Sequence, residues 1–261
     1  MNRSRTRKTA RRSFSSGDIR LYAPTSWREL SQEQLRYTLT LMSEGLEGDA
    51  LKAYMLIRFN RIKVVRRGRD GWKMIKGRKV FYADKWLLSS MIKTLGFVDR
   101  YEDFDARLDS VGGFRAVDGL LNGMPFNDYL KMEICYQMFN STKEEAYLTS
   151  LARLLYRDKK GRPADGINPD KAEKLGVYLW YAHVKDVFAR LFPALFKKAD
   201  GDGGASQADL RQMTDAQLRL LTDGDVTKEK AVRMVDCKRA LTELNAKAVE
   251  ARAAKDKLKA K

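Results

Sequence analysis

The chain has 261 residues, 44% hydrophobic and 33% charged, with 51 Lys and Arg against 34 Asp and Glu, a formal net charge of +17. With one histidine, His183, and two cysteines, Cys135 and Cys237, it holds neither a Cys/His zinc cluster nor a disulfide framework of its own. No apolar run approaches the roughly 18 residues of a spanning helix and no apolar segment follows the basic N-terminus as a signal peptide requires, so a folded cytoplasmic protein with no membrane partner is expected.

The charge lies in blocks. Residues 1–20 hold seven Lys and Arg against one Asp, residues 58–79 ten against one, and residues 228–261 eleven against five acids. Residues 1–17 read as a disordered basic arm: Arg3, Arg5, Arg7, Lys8, Arg11 and Arg12 stand among Ser and Thr with too little apolar surface to offset ordering. Residues 18–199 read as a mainly helical body. Ser31 and Gln34 form a capping-box pair ahead of Leu35, Leu39 and Met42 at helical spacing. Gly45 and Gly48 close that helix, and Asp49 caps a second. Residues 62–65, 72–75 and 78–82 are short and rich in β-branched and aromatic residues, with Asp70-Gly71 and Lys76-Gly77 between them. That pattern predicts a small antiparallel meander, a β-hairpin near 62–82.

Asp84 caps the next helix, through Leu95. Residues 99–124 hold turn signals without a period and receive no assignment. Pro125 opens a helix carrying Phe126, Tyr129, Leu130 and Ile134. Thr142 with Glu145, and Asp170 with Glu173, are read as two further capping boxes. Residues 175–192 are apolar nearly all round, the mark of a central core helix. The Gly-rich stretch 200–206 is read as a linker to a C-terminal helical module, 207–261, in which Ser206 and Thr227 cap helices. There Cys237, Leu241, Leu244, Ala248 and Ala251 repeat at coiled-coil spacing over two heptads only. The fold class expected is mainly α (α+β).

Catalytic motifs are sparse. Cys135 with His183 is the one formal nucleophile–base pair, and both sit in apolar helical stretches where core burial is the ordinary role. Asp200-Gly-Asp-Gly-Gly lacks the fifth and twelfth ligands of a calcium loop, these places being Gly204 and Arg211. Asp103, Asp105 and Asp109 fit a solvated loop better than a cation site. No phosphate loop, dinucleotide fingerprint or nucleophile elbow is present. The expectation is a protein that is not an enzyme and has no metal or cofactor.

The basic hairpin stands out. Arg61, Lys63, Arg66, Arg67, Arg69, Lys73, Lys76, Arg78 and Lys79 accompany Trp72, Phe81 and Tyr82. Basic residues interleaved with aromatics serve RNA and single-strand surfaces. Alternation along a strand allows the plainer arrangement, aromatics in the core and basic residues in water. Nucleic acid and an acidic protein both fit the basic side.

Two stretches carry a family resemblance. One runs Asn122-Gly-Met-Pro-Phe-Asn-Asp-Tyr-Leu to Tyr136-Gln and Leu154-Leu-Tyr; the other is Leu221-Thr-Asp-Gly-Asp-Val-Thr-Lys-Glu-Lys followed by Arg239-Ala-Leu-Thr-Glu-Leu-Asn-Ala-Lys-Ala. With Trp27-Arg-Glu-Leu-Ser-Gln-Glu-Gln-Leu they resemble a family of Bacteroides-type phage and prophage proteins over residues 20–250. The layout is similar to tail assembly chaperones. The resemblance implies a role in virion morphogenesis in the bacterial host cytoplasm, with tape-measure and tail-tube proteins as partners. In that case Leu218, Leu221, Val226, Val232, Val235, Leu241 and Leu244 would form the recruiting surface. The same residues could instead dock on the protein's own body. A basic nucleic-acid-binding phage protein and a structural virion component are the alternatives.

Overall fold

A computed structural model describes residues 13–16, 19–196 and 207–259. The fold is mainly α with small antiparallel sheets, and it divides into two units, 1–106 and 107–261.

The first unit opens with β1 (Ser13–Ser16), paired antiparallel with β2 (Ile19–Tyr22). Four residues of the arm expected to be disordered thus form a strand; residues 1–12 and 17 lie outside the described residues. A 3-10 turn, Trp27–Glu29, leads into α1 (Gln32–Ser43). The capping box forms as expected: the Gln34 N–H donates to Ser31 Oγ at 3.2 Å and the Ser31 N–H to Gln34 Oε1 at 2.9 Å. The chain leaves α1 through Gly45, whose φ of +83° suits glycine. Helix α2 (Gly48–Phe59) follows. Its N-cap is Glu47 rather than the expected Asp49, which sits in the first turn, where a carboxylate still favours the helix dipole.

The expected meander is β3 (Ile62–Arg67), β4 (Gly71–Lys76) and β5 (Lys79–Asp84), in the order β3-β4-β5. Gly77, first in the two-residue β4–β5 turn, takes φ +60°, a left-handed value that glycine adopts at no cost. Gly71 is needed for a different reason. A Cβ there would meet the Ala83 carbonyl at 2.5 Å, so the ends of β4 and β5 could not pair. Gly71→Ala is expected to destabilise this unit by about 1–3 kcal/mol; thermal unfolding of the variant would show it, and an unchanged melting temperature would refute the close approach. Asp84 accepts the Leu87 N–H at 2.7 Å and caps α3 (Lys85–Thr94), as expected. Two 3-10 turns, Gly96–Asp99 and Tyr101–Asp103, follow. They bring Phe97 and Phe104 onto buried Trp27, with ring centroids 5.2 and 4.8 Å away.

The second unit begins in the stretch left unassigned. There β6 (Ser110–Val111) and β7 (Phe114–Ala116) form a hairpin, and β7 also pairs with the distant β8 (Tyr156–Arg157). Helices α4 (Phe126–Thr142) and α5 (Glu145–Leu155) precede β8, and α6 (Lys171–Leu191) follows it. The second expected capping box is not formed. Thr142 instead ends α4, its hydroxyl donating to the Met138 carbonyl, and Lys143 turns the chain with φ +60°. The third forms: Asp170 and Glu173 exchange hydrogen bonds of 2.8 and 3.0 Å. In α6, Val177, Trp180, Tyr181, Val184 and Phe188 are buried, as the all-round apolar pattern predicts.

The linker 200–206, with Ser206, lies outside the described residues. Beyond it come α7 (Gln207–Thr222), α8 (Glu229–Arg233) and α9 (Cys237–Lys259). Asp225, not Thr227, caps the turn before α8 by accepting the Thr227 N–H at 3.0 Å. These helices do not form a separate module. They pack on α4 and belong to the same unit, so the division of the chain falls after Ala106 rather than near residue 200. The first motif stretch behind the family resemblance is clasped here by residues 233–238, which lie between the two parts of the second. The Phe126 N–H donates to the Val235 carbonyl, the Cys237 N–H to the Met124 carbonyl and the Gly123 N–H to the Asp236 carboxylate, each at 2.8 Å. Lys238 reaches Asn122 at 2.6 Å and Arg233 reaches Asn127 at 3.1 Å.

Candidate nucleic-acid interface

The β3-β4-β5 sheet has two unlike faces, and one irregularity decides which residues share them. Register runs Lys63–Ile75–Val80 across the three strands, then shifts at Val65, and resumes as Arg66–Lys73–Tyr82 and Arg67–Trp72–Ala83. The bulge at Val65 changes the parity of β3. Without it Arg66 would stand on the same side as Ile62 and Val64. With it, Arg66 joins Lys63 and Lys73.

The inner face carries Met74, Phe81 and Ala83, all buried, together with half-buried Trp72. Arg67 lies over the Trp72 ring, its guanidinium carbon 5.8 Å from the centroid. With α2 and α3 this face encloses a groove of about 360 Å³, lined by Leu56, Ile62, Trp72, Phe81, Leu88 and Ile92 among others. The plainer arrangement foreseen from alternation therefore holds for Trp72 and Phe81.

The outer face is different. Lys63, Arg66 and Lys73 are exposed, and Tyr82 beside them is 61% exposed. Arg66 stands directly opposite Lys73, and Lys73 directly opposite Tyr82. Neighbouring strands lie about 4.8 Å apart, and like charges so placed repel. Among the described residues no carboxylate pairs with Lys63, Arg66, Arg69, Lys73 or Arg78; the ion pairs of this unit engage Arg28, Lys52, Arg58 and Arg100 instead. Arg69 and Arg78 sit in the turns at opposite ends of β4, and Lys79 opens β5. Four residues of the expected patch lie off this face: Arg67 lies over Trp72, and Lys79 stands opposite Lys76, all on the inner side, and Arg61 lies outside the strands. Lys76 is half-buried and donates to Asn60 Oδ1 at 3.3 Å. Arg61, with φ +51°, sits at the α2–β3 junction in a depression shared with Glu33, Tyr37 and Arg58.

The expected recruiting surface of the C-terminal helices is largely internal. Leu218, Leu241 and Leu244 are buried, while Leu221, Val232 and Val235 are half-buried. Val226 alone of the seven is exposed, at 78%. Most of them dock on the protein's own body instead.

Other chemistry-bearing groups are accounted for locally. Burial pushes the Cys135 thiol up to about 11 and the Cys237 thiol to about 12, the latter helped by the Asp236 carboxylate. A catalytic thiol needs the opposite shift. Native protein at pH 8 should therefore react with iodoacetamide at least tenfold more slowly than the urea-unfolded chain, measured by mass spectrometry; equal rates would contradict the shielding of half-buried Cys135 and buried Cys237. Asp103 pairs with Arg100 at 3.2 Å, Asp105 with Arg28 and Asp109 with Arg107 at 3.9 Å. Among the described residues no group of three or more His, Cys, Asp or Glu is placed to hold a metal, and no helix is long and apolar enough to cross a membrane.

Neither protein families, nor curated proteins, nor solved structures provide a match to this chain.

Proposed function

We propose that this chain is a non-enzymatic nucleic-acid-binding protein whose interface is the outer face of the β3-β4-β5 sheet. The observation that supports this most is the row Arg66–Lys73–Tyr82, two adjacent cations and an exposed ring with no carboxylate among the described residues to neutralise them. A fold tolerates such repulsion at a modest cost, and a polyphosphate strand relieves it. Flanking Lys63, Arg69 and Arg78 extend the positive field beyond one phosphate. A nucleic-acid role remains consistent with a phage protein, as the family resemblance implies.

Titration of a labelled oligonucleotide with the full chain at increasing salt tests the reading. Affinity should fall linearly on a log–log plot, with a slope of roughly −2 to −4 for about three to six contacted phosphates of a single strand. Binding that does not respond to salt would overturn it.

The inner groove favours a second reading, the tail-assembly role. Its apolar lining and concave form suit one face of an amphipathic helix from a tape-measure or tail-tube protein. In that reading the recruiting surface lies in the first unit rather than on Leu218, Leu241 and Leu244. Capture of a tape-measure protein that survives nuclease treatment would favour it over the nucleic-acid role.

A further inference from the structure

Resting on the nucleic-acid reading of the outer face, we infer that this face takes a single strand, with a base stacked on Tyr82 and the neighbouring phosphates held by Arg66 and Lys73. The geometry of Tyr82 carries this. Its strand, β5, is separated from β3 by β4. Yet its hydroxyl lies where a Cβ on Gly68, at the β3–β4 turn, would be only 3.5 Å away. The side chain therefore extends across β4 toward the turn, along the sheet and not away from it. A ring laid along the sheet would turn one face to the strands and leave the other open, in keeping with the 61% exposure of Tyr82.

Gly68 offers no side chain to cover that open face. Among the described residues no aromatic ring or cation stacks on Tyr82, whereas Trp72 on the opposite face already carries Arg67. An open ring bordered by Lys73 and Arg66 is the arrangement that accepts a splayed base with its phosphates. A duplex keeps its bases stacked internally. It would meet this face through its phosphates, or by taking the strands into its major groove, and neither uses the face of the ring.

The test uses the full chain and fluorescence anisotropy. Probes are oligo(dT) and oligo(U) of about twelve nucleotides, within the usual site size, and a duplex of equal length. Wild type should bind both single strands at least tenfold more tightly than the duplex. Tyr82→Ala should weaken single-strand binding about tenfold, one stack's share, and leave duplex binding within twofold. Tyr82→Phe should retain wild-type affinity. Tyr82→Leu keeps apolar bulk without a ring and should behave as Tyr82→Ala, so the result does not hang on the stability of the alanine variant. A preference between the two single strands identifies DNA or RNA as the source and supports the inference. Equal wild-type affinity for duplex and single strand would overturn it. So would full single-strand affinity in Tyr82→Ala and Tyr82→Leu while Arg66→Glu/Lys73→Glu binds weakly; that result leaves the electrostatic interface standing. No salt-sensitive binding of any probe would overturn the interface itself.

Discussion

Reversing Arg66 and Lys73 together, Arg66→Glu/Lys73→Glu, should weaken single-strand binding about a hundredfold at low salt. Each substitution removes one attraction and adds one repulsion. At roughly 0.7 kcal/mol apiece, in the range for exposed charges, the four changes make about that factor. The salt slope should fall by about 1.4, since each single-strand phosphate contributes about 0.7. The control is Lys159→Glu/Lys160→Glu, an equal change in net charge on two exposed lysines of the second unit. It should lose less than fivefold. If the control loses as much as the sheet variant, the binding is a property of the total charge of +17 and not of this face. Stability should barely change in the sheet variant, because both side chains are exposed and a like-charge pair is exchanged for another.

The largest effect on stability is expected from Trp27→Ala. The indole is 1% exposed and wedged between Phe97 and Phe104. Its removal leaves a cavity that two separate 3-10 turns would have to collapse into, and the cost should be about 3–5 kcal/mol. The loss should fall on the first unit alone. Urea unfolding followed by near-UV circular dichroism should separate into two transitions, of which only one moves to lower denaturant. A single unchanged transition would mean that Trp27 does not anchor this core. The sheet depends on the same unit, so the variant should also lose oligonucleotide binding wherever that transition is complete.

What could be foreseen from residues alone was local. The capping pairs Ser31/Gln34 and Asp170/Glu173 lie within one turn, and both form. The meander was equally legible, because Gly77 and the β-branched runs set turn and strand over a few residues. Thr142/Glu145 has the same pattern and fails, because α4 runs on through Thr142 and Lys143 turns left-handed. Residues 99–124 stayed unassigned since their strands are completed by β8, some forty residues on. The Gly-rich 200–206 suggested a boundary, yet the helices after it bury Leu218, Leu241 and Leu244 within the second unit. The true division, after Ala106, has no linker composition to mark it. At the sheet the basic residues were visible, but their grouping was not. It depends on one bulge at Val65, and a bulge leaves no reliable mark in composition.

The clasp between the start of α4 and the start of α9 sets an order of events during synthesis. Gly123 and Asp236 are 113 residues apart in the chain. At about 5–20 residues per second, a ribosome needs roughly 6 to 23 seconds to make the intervening segment. The first unit has its whole sequence by then and is free to fold. Before α9 emerges α4 can already pack on α5 and α6, with Tyr129 beside Phe188 at 5.9 Å, but the clasp at its start stays open, so each new molecule passes through an interval in which the side of α4 that α9 covers is open to capture. Chaperones, or another copy on the same polysome, would meet the chain in that interval and not after release.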